Sequence, residues 1–453
     1  MPFREGFIWG AATSAYQIEG GAAVDGRAPS IWDTFCRKPG ATFQGQNADT
    51  ACDHYHRFAD DVGLMQRIGL RAYRFSISWS RVIPEESGRV NEAGLAFYER
   101  LVDALLDSGI VPFVTLFHWD LPQWTQERGG WLNRATADWF SHLATVVTTR
   151  LSDRVSNWFT INEPQCFVKF GHGDGTNAPG LKLPLGEQVQ CAHVALLAHG
   201  KAALAVRAAA KSPPSVGWAP IGRTDFPASD RPADIDAARR SMMAVAERNL
   251  WNNTWFADPV CLGHYPEDGL ALFGHERPKI EAGDMEIIRQ PIDFYGLNIY
   301  DGRRVRMGTG GAPEVVPFAP GHPQTAFRWF ITPEALRWGP RFIYERYRVP
   351  ILITENGMSG TDWVAVDGKV HDPQRIDYTA RYLASLRRAV DDGTDVRGYF
   401  HWSLLDNFEW AEGFKERFGL VHIDFSTLTR TLKDSATWYR GVIESNGASL
   451  PPG

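Results

Sequence analysis

Eight short apolar segments alternate with longer segments of helical periodicity along most of the chain, and this repeat restricts the fold more than any other feature. Strand followed by helix followed by strand is the pattern of parallel βα units, and eight such units predict an α/β protein built as a (β/α)8 TIM barrel with elaborated βα loops. The predicted strands are residues 7–14, 72–78, 111–119, 157–163, 216–220, 293–300, 350–356 and 396–403.

A doubly wound parallel sheet is the alternative fold for the same repeat. The nucleotide-binding form of that sheet carries a G-x-G-x-x-G or Walker sequence after a strand, and none of the eight strands is followed by either. Length alone would suggest about three domains, but α/β barrels often exceed this rule, and no linker or low-complexity tract divides the chain. We therefore expect residues 1–453 to form one domain.

Charge and cysteine usage exclude several classes of partner. A net charge of −6 and a pI near 6.1 argue against nucleic acid and anionic membranes, and favour a neutral small molecule. The N-terminus carries Arg4 and Glu5 without a long apolar stretch, so we expect no secretory signal. The longest apolar runs, such as residues 110–119, are about half the roughly 20 residues that span a bilayer, so we expect no membrane span. Five irregularly spaced cysteines predict free thiols rather than disulfides or a zinc site, and hence a cytoplasmic protein.

The ends of the predicted strands carry an unusual set of side chains. Ordinary turns would show Gly, Asp, Ser and Pro. These strand ends, with their neighbours, instead carry Gln17, Arg74, His118, Asn162, Glu163, Asn298, Tyr300, Glu355 and Trp402. Catalytic residues of TIM barrels lie at the C-terminal ends of the strands, so the set predicts a polar and aromatic site at the mouth of the barrel.

Two of these residues are carboxylates in similar contexts, Glu163 in "TINEP" and Glu355 in "ITENG", 355 − 163 = 192 residues apart. Two carboxylates that flank a pocket are what cleavage of a glycosidic bond requires. A separation of roughly 5 to 5.5 Å would indicate retention of configuration and about 6.5 to 9.5 Å inversion, and both remain open at this stage. A capping role is the structural alternative for an acid such as Glu355 that ends an apolar strand.

A series of motifs extends along nearly the whole chain: "FIWGAATSAYQIEG", "SIWDTF", "ACDHYHRFADDV", "AYRFSISWSRVIP", "HWDLPQ", "TINEP", "DFYGLNIY", "ITENG" and "HWSLLDNFEWAEGFKERFGLVHID". Taken in this order, the motifs resemble glycoside hydrolase family 1, the β-glucosidase family. The resemblance implies a retaining β-glucosidase that needs no metal or organic cofactor, with side activity on β-galactosides and β-fucosides. The sequence does not determine the oligomeric state or the natural aglycone.

By this resemblance, Glu163 is the general acid/base and Glu355 the nucleophile. Arg74, Asn298 and Tyr300 would support the nucleophile, and Tyr300 would also contact the substrate. The implied glycone-binding set is Gln17, His118, Asn162, Glu409 and Trp410, with Trp402 beneath the sugar ring. Structural alternatives remain for Arg74, as a member of an ordinary salt bridge, and for Tyr300, as a half-buried strand aromatic.

Other features concern specificity. Glu409 would repel the phosphate of a phospho-sugar, which favours unphosphorylated glycosides. Trp329 resembles the family's aglycone platform, and Trp124 is a weaker candidate for the entrance. The chain departs from the family pattern at Ile299, where a second Tyr is usual, and at Asn177 and Leu432.

Two other functions share most of these residues. A non-catalytic sugar-binding protein could use the same scaffold, because a fold does not establish a function. Two intact carboxylates argue against that reading. A transglycosylase would share every catalytic residue and would differ only in its products.

Overall fold

The computed structural model describes residues 2–451 and closes eight parallel strands into a barrel, which confirms the predicted fold. The first strand pairs with both the second and the eighth, so the barrel has no free edge. Every predicted strand is found within two residues of its expected bounds. The strands are β1 (Ile8–Ala12), β2 (Ala72–Ser76), β3 (Val111–Phe117), β4 (Asn157–Asn162), β5 (Ser215–Ala219), β6 (Phe294–Asn298), β7 (Ile351–Asn356) and β8 (Val396–Trp402).

Helices surround the barrel and connect its strands. Those longer than eight residues are His54–Ile68, Glu92–Asp107, Ala135–Leu151, Leu185–Ala209, Pro232–Met243, Thr254–Leu262, Ala335–Tyr347, Pro373–Asp391 and Asp434–Glu444. Shorter helices are Ala15–Ile18, Ile31–Cys36, Trp79–Val82, Gln123–Glu127, Pro164–Val168, Glu267–Phe273 and Asp284–Ile288. Helical periodicity in the sequence predicts helices over residues 94–109 and 135–151. The second prediction matches Ala135–Leu151, and the first lies two residues beyond Glu92–Asp107 at each end.

The helix Leu185–Ala209 is the longest of these elements and is strongly apolar. It is the one helix of residues 2–451 with the length and mean hydropathy, 1.3, of a membrane span, yet 78% of its most apolar stretch is buried inside the protein. Gly200 allows its close packing, because a Cβ at that position would lie 1.9 Å from the carbonyl oxygen of Ile287. The helix is therefore apolar on nearly every side because it is a core element.

Additional strands build up the loops at the C-terminal rim of the barrel. The three strands Asp225–Pro227, Arg303–Met307 and Pro313–Val315 form one small sheet, and Val421–Asp424 pairs with Thr429–Leu432. The first of these sheets joins the loop after β5 to the loop after β6. These elaborations shape the rim on which a site can be built.

Aromatic side chains fill the interior of the barrel below the rim. Phe113 meets Phe400 at a centroid distance of 5.0 Å, and Phe159 meets Phe294 at 4.8 Å, both close to edge-to-face. Small residues on neighbouring strands make room for these rings, and a Cβ on Gly217 would lie 2.2 Å from the ring of Phe294. The alternation of large and small side chains gives the site above it a rigid floor.

We predict that Gly217→Ala lowers the free energy of unfolding by about 1 to 3 kcal/mol, because the added methyl group overpacks the barrel interior. Gly310→Ala is the matched control, since a Cβ there has no neighbour within 4 Å. Urea unfolding followed by tryptophan fluorescence measures both variants. Equal midpoints for the two variants would contradict this account of the packing.

Candidate active site

A cavity of about 730 Å³ opens at the C-terminal ends of the strands. Its volume falls in the range of small-molecule sites. Nine of the sequence-predicted site residues line it: His118, Glu163, Asn298, Tyr300, Trp329, Glu355, Trp402, Glu409 and Trp410. The other three, Gln17, Arg74 and Asn162, are buried behind this lining and contact it.

Glu355 near the end of β7 is clamped by two donors. The guanidinium Nη1 of Arg74 lies 2.7 Å from Oε1, and the Tyr300 hydroxyl donates to Oε2 at 2.7 Å. Arg74 is fully buried and Glu355 is 3% exposed, so the ion pair lies in a region of low dielectric. A carboxylate bound at both oxygens by a cation and a hydroxyl is held ionised and in one orientation.

Glu163 stands where β4 turns into the helix Pro164–Val168. Its φ of 45° lies in the left-handed region, uncommon for a residue with a side chain, and Pro164 takes the first helical position, where no N–H is needed. Asn298 Nδ2 donates to Glu163 Oε1 at 2.6 Å. The N-E-P sequence thus forces a sharp turn that presents this carboxyl to the cavity.

A chain of amides connects the two carboxylates. Asn162 Oδ1 accepts from Arg74 Nη2 at 2.6 Å and from Asn298 Nδ2 at 3.1 Å. The hydroxyl of Thr354 donates to Asn298 Oδ1 at 2.6 Å, which fixes the orientation of that amide. Sequence reasoning did not identify Thr354. Its signal was its place directly before Glu355 in "ITENG".

The same hydrogen-bond network determines the tautomer of His118. With its oxygen occupied, Asn162 presents Nδ2 to His118 Nε2 at 3.0 Å, so Nε2 accepts and Nδ1 carries the proton. Burial, together with the charge of Arg74, holds the pKa of His118 well below its usual range. The Nδ1 atom is buried and has no hydrogen-bond partner among residues 2–451, so His118, which lines the cavity, carries an unpaired N–H.

Glu163 and Glu355 have different environments, which give the two carboxyl groups different protonation states. Burial raises the pKa of Glu163 to about 8, and the charge of Glu355 adds to the rise. Burial also raises the pKa of Glu355, but the Arg74 guanidinium and the Tyr300 hydroxyl oppose the rise. Because only Glu355 touches the cation, the single proton that the pair shares near neutral pH belongs on Glu163.

The opposite side of the cavity combines a carboxyl with aromatic rings. Gln17 Nε2 donates to Glu409 Oε2 at 3.3 Å and to the Phe408 carbonyl at 2.9 Å. Burial, and secondarily Glu355, raises the pKa of Glu409 well above its usual range. Trp410 packs against Trp119 at a centroid distance of 4.6 Å. Hydrogen-bonding groups beside flat rings suit a polyhydroxylated ring with apolar C–H faces.

The two further tryptophan candidates have different positions. Trp329 lines the cavity and meets Tyr300 at a centroid distance of 4.9 Å. Trp124 packs edge-on against Trp79 and Trp139 and is absent from the cavity lining, so the expectation that it reaches the entrance is wrong. Its aromatic neighbours explain its size, as core packing does for most tryptophans.

Several lining residues were missed by sequence reasoning. Cys166 lies one helical turn from Glu163, and Phe418 contacts the ring of Tyr300. Arg223, Glu247 and Trp251 belong to the long segment after β5, which carries no recognisable motif. Within residues 2–451, no three His, Cys, Asp or Glu side chains are grouped to hold a metal ion.

Comparison with known proteins agrees with this geometry. The family model described as glycosyl hydrolase family 1 matches residues 1–448. The β-glucosidase A of Thermotoga maritima is 43% identical over 447 residues, which is 98% of each chain. A bifunctional β-D-glucosidase/β-D-fucosidase of Bifidobacterium breve is 41% identical and covers 99% of each chain.

A solved structure gives the same result in three dimensions. The β-glucosidase from Thermotoga maritima in complex with glucoimidazole superposes with a TM-score of 0.90 at 42% identity, over 98% of this chain and 99% of that one. The likeness therefore extends over the whole barrel and the loops that carry the cavity. The chain belongs to glycosyl hydrolase family 1 and is a glycoside hydrolase.

Proposed function

We propose that this protein is a retaining β-glucosidase that removes terminal non-reducing β-D-glucosyl residues from cello-oligosaccharides and from aryl and alkyl β-glucosides. One observation carries the proposal. A carboxylate clamped by Arg74 and Tyr300 shares a sugar-sized cavity with a carboxyl whose pKa is raised, so nucleophile and acid are available together. Opposite protonation of two carboxyl groups is what cleavage of a glycosidic bond requires, and membership of glycosyl hydrolase family 1 supports retention by double displacement.

In the first step, an oxygen of Glu355 attacks the anomeric carbon while Glu163 gives its proton to the departing glycosidic oxygen. The bond from the anomeric carbon to that oxygen breaks, the aglycone leaves as a neutral alcohol, and a glucosyl ester of Glu355 forms. The positive charge that develops on the sugar in the transition state is stabilised by the approaching carboxylate.

In the second step, water attacks the anomeric carbon from the side that the aglycone left. Glu163, now ionised, takes a proton from that water, and the bond to Glu355 breaks. Glucose is released in the β-configuration, and both carboxyl groups return to their starting states. Two inversions at one carbon give net retention.

The remaining site residues are proposed to hold the sugar and the nucleophile. His118 would bind hydroxyls near the reacting carbon and Glu409 hydroxyls at the far end, and Trp402 would lie under the ring. Asn162 and Gln17, expected from the sequence to bind the sugar, would instead orient His118 and Glu409 from behind the lining. Arg74 and Asn298 orient the carboxylates, and Trp329 would flank the aglycone. The glucosidase and fucosidase activities in the name of the Bifidobacterium breve relative support side activity on β-fucosides, and we propose β-galactosides as well.

We further propose that residues 1–453 act as one domain in the cytoplasm, in the degradation of cellulose-derived oligosaccharides. The free cysteines and the buried state of the helix Leu185–Ala209 support that location. The partner proposed is a small β-glycoside, and neither nucleic acid nor a membrane has a part in the reaction.

We expect Glu355→Gln to reduce kcat on an aryl β-glucoside by about 1,000-fold or more, because the amide neither attacks the anomeric carbon nor stabilises its charge. The measurement is release of the aryl alcohol by the parent and the variant at equal concentration. Glu314→Gln, at an exposed carboxylate outside the cavity, is the control and should match the parent. Equal rates for Glu355→Gln and the parent would reject the catalytic function.

The pH dependence of kcat/KM should be bell-shaped. Activity needs the proton on Glu163, so it should fall as the pH rises through about 8, and it needs Glu355 ionised, so it should also fall in acid. A profile without an alkaline limb would contradict the role of Glu163. The profile is recorded with an alkyl β-glucoside, whose poor leaving group requires the acid.

Glu163→Gln should lose that alkaline limb and should retain activity only on substrates with very good leaving groups, such as dinitrophenyl β-glucoside, which depart without protonation. Added azide should then accelerate turnover and yield β-glucosyl azide, because this anion attacks without a general base. Formation of the product is followed by NMR. An α-azide product, or no effect of azide on a variant that still forms the glucosyl ester, would contradict the assignment.

A further inference from the structure

The cavity extends outward along one arc of the rim, where the loops after β4, β5 and β6 lie side by side in the order of the strands. Each loop contributes to the lining: Phe170 after β4, Arg223, Glu247 and Trp251 after β5, and Phe327 with Trp329 after β6. This arc carries aromatic and charged side chains, and of these residues the sequence motifs assigned a role to Trp329 alone.

An ion pair occupies the middle of the arc. Arg223 Nη2 lies 2.7 Å from Glu247 Oε1, and the side chains of Arg223 and Glu247 are 11% and 55% exposed. Asn249 Nδ2 donates to the other oxygen of Glu247 at 3.0 Å. The pair uses one of the five guanidinium N–H groups, and within residues 2–451 the others have no hydrogen-bond partner.

The backbone around this pair is held in place. Asn253 Nδ2 donates to the carbonyl oxygens of Arg223 and Met242, at 2.7 and 2.9 Å. Gly222 lets the chain pass this amide, since a Cβ there would lie 2.2 Å from Asn253 Oδ1. Because the backbone is fixed and the ion pair with Glu247 holds the side chain of Arg223, little ordering is needed when a ligand binds, which favours affinity.

Two aromatic pairs line the same arc as the ion pair. Phe170 meets Trp251 at a centroid distance of 5.4 Å, and Phe327 stacks with Trp329 at 4.4 Å. A neutral pair of charged groups beside flat rings offers donors and acceptors for several hydroxyls together with surfaces for C–H faces. An anionic or cationic aglycone would find one partner and one repulsive group, whereas a neutral sugar uses both.

We propose that the Arg223–Glu247 pair selects a sugar as the aglycone, by hydrogen bonding to hydroxyls of the second glucosyl unit of a cello-oligosaccharide. This proposal rests on the proposed β-glucosidase function and assigns its preferred substrate class. Apolar and aryl aglycones use the aromatic rings alone and make no use of the pair. The pair thus separates two substrate classes that share one glycone site.

The test compares cellobiose with p-nitrophenyl β-glucoside. Both substrates give the same glucosyl ester of Glu355, so their second step is identical, and a difference between them reports the binding and departure of the aglycone. Arg223→Met keeps the apolar stem and removes the donors. We expect kcat/KM for cellobiose to fall about tenfold, mainly through KM, while that for the aryl glucoside stays within about twofold of the parent.

Two further variants complete the comparison. Glu247→Ala changes a half-exposed side chain, so it tests the pair even where Arg223→Met folds poorly, and the same selective loss is expected. Arg306→Met is the matched control, because Arg306 forms an exposed ion pair with Glu314 outside the cavity, and its ratio of the two kcat/KM values should equal that of the parent.

The proposal would be overturned if Glu247→Ala lost activity on both substrates to the same extent. It would also be overturned if Arg223→Met left the ratio of kcat/KM for cellobiose to kcat/KM for the aryl glucoside unchanged. A parent enzyme that hydrolyses the aryl glucoside but not cellobiose would overturn it as well, while leaving the β-glucosidase function intact. A parent inactive on both substrates would overturn the proposed function itself.

Discussion

One buried cation makes the acidic centre of this barrel possible. Arg74 is fully buried, and its guanidinium reaches Glu355, Asn162 and Thr115 while lying 5.0 Å from the ring centroid of Phe159. A buried carboxylate without such a partner would be protonated or would destabilise the fold. The cation therefore connects the packed floor of the barrel to the reacting group above it.

The same cation explains why two similar acids behave differently. Glu355 contacts Arg74 directly, whereas Glu163 contacts the neutral amide of Asn298. Burial penalises both charges, but only one of them is compensated, so the proton stays on Glu163. Acid and nucleophile are therefore present together before the substrate arrives.

Much of this architecture could be predicted from the sequence, because it depends on local patterns. Apolar runs located the eight strands, and the rule that sites lie at strand ends collected His118, Glu163, Asn298 and Glu355 without coordinates. The family motifs then supplied Glu409 and Trp410, which lie beyond the last strand.

Other features depend on contacts between distant segments and have no local signature. Trp124 is an unexpected bulky residue that made the entrance a candidate position, but in the folded protein it packs edge-on against Trp79 and Trp139 and is half-buried. Arg223 and Glu247 are 24 residues apart in a segment without motif, and only the fold brings them to one rim. Gln17 and Asn162 lie behind the cavity surface, where they form hydrogen bonds with Glu409 and His118, and these contacts have no local signature in the sequence either.

The central claim is that the carboxylate held by Arg74 becomes covalently bound to the sugar. Incubation with an activated 2-deoxy-2-fluoro-β-glucoside slows the second step more than the first, and proteolysis followed by mass spectrometry then locates the sugar. The account predicts one fluoroglucosyl group on the peptide that contains Glu355. A sugar attached to any other residue, or no adduct while the good leaving group is released in a stoichiometric burst, would contradict it.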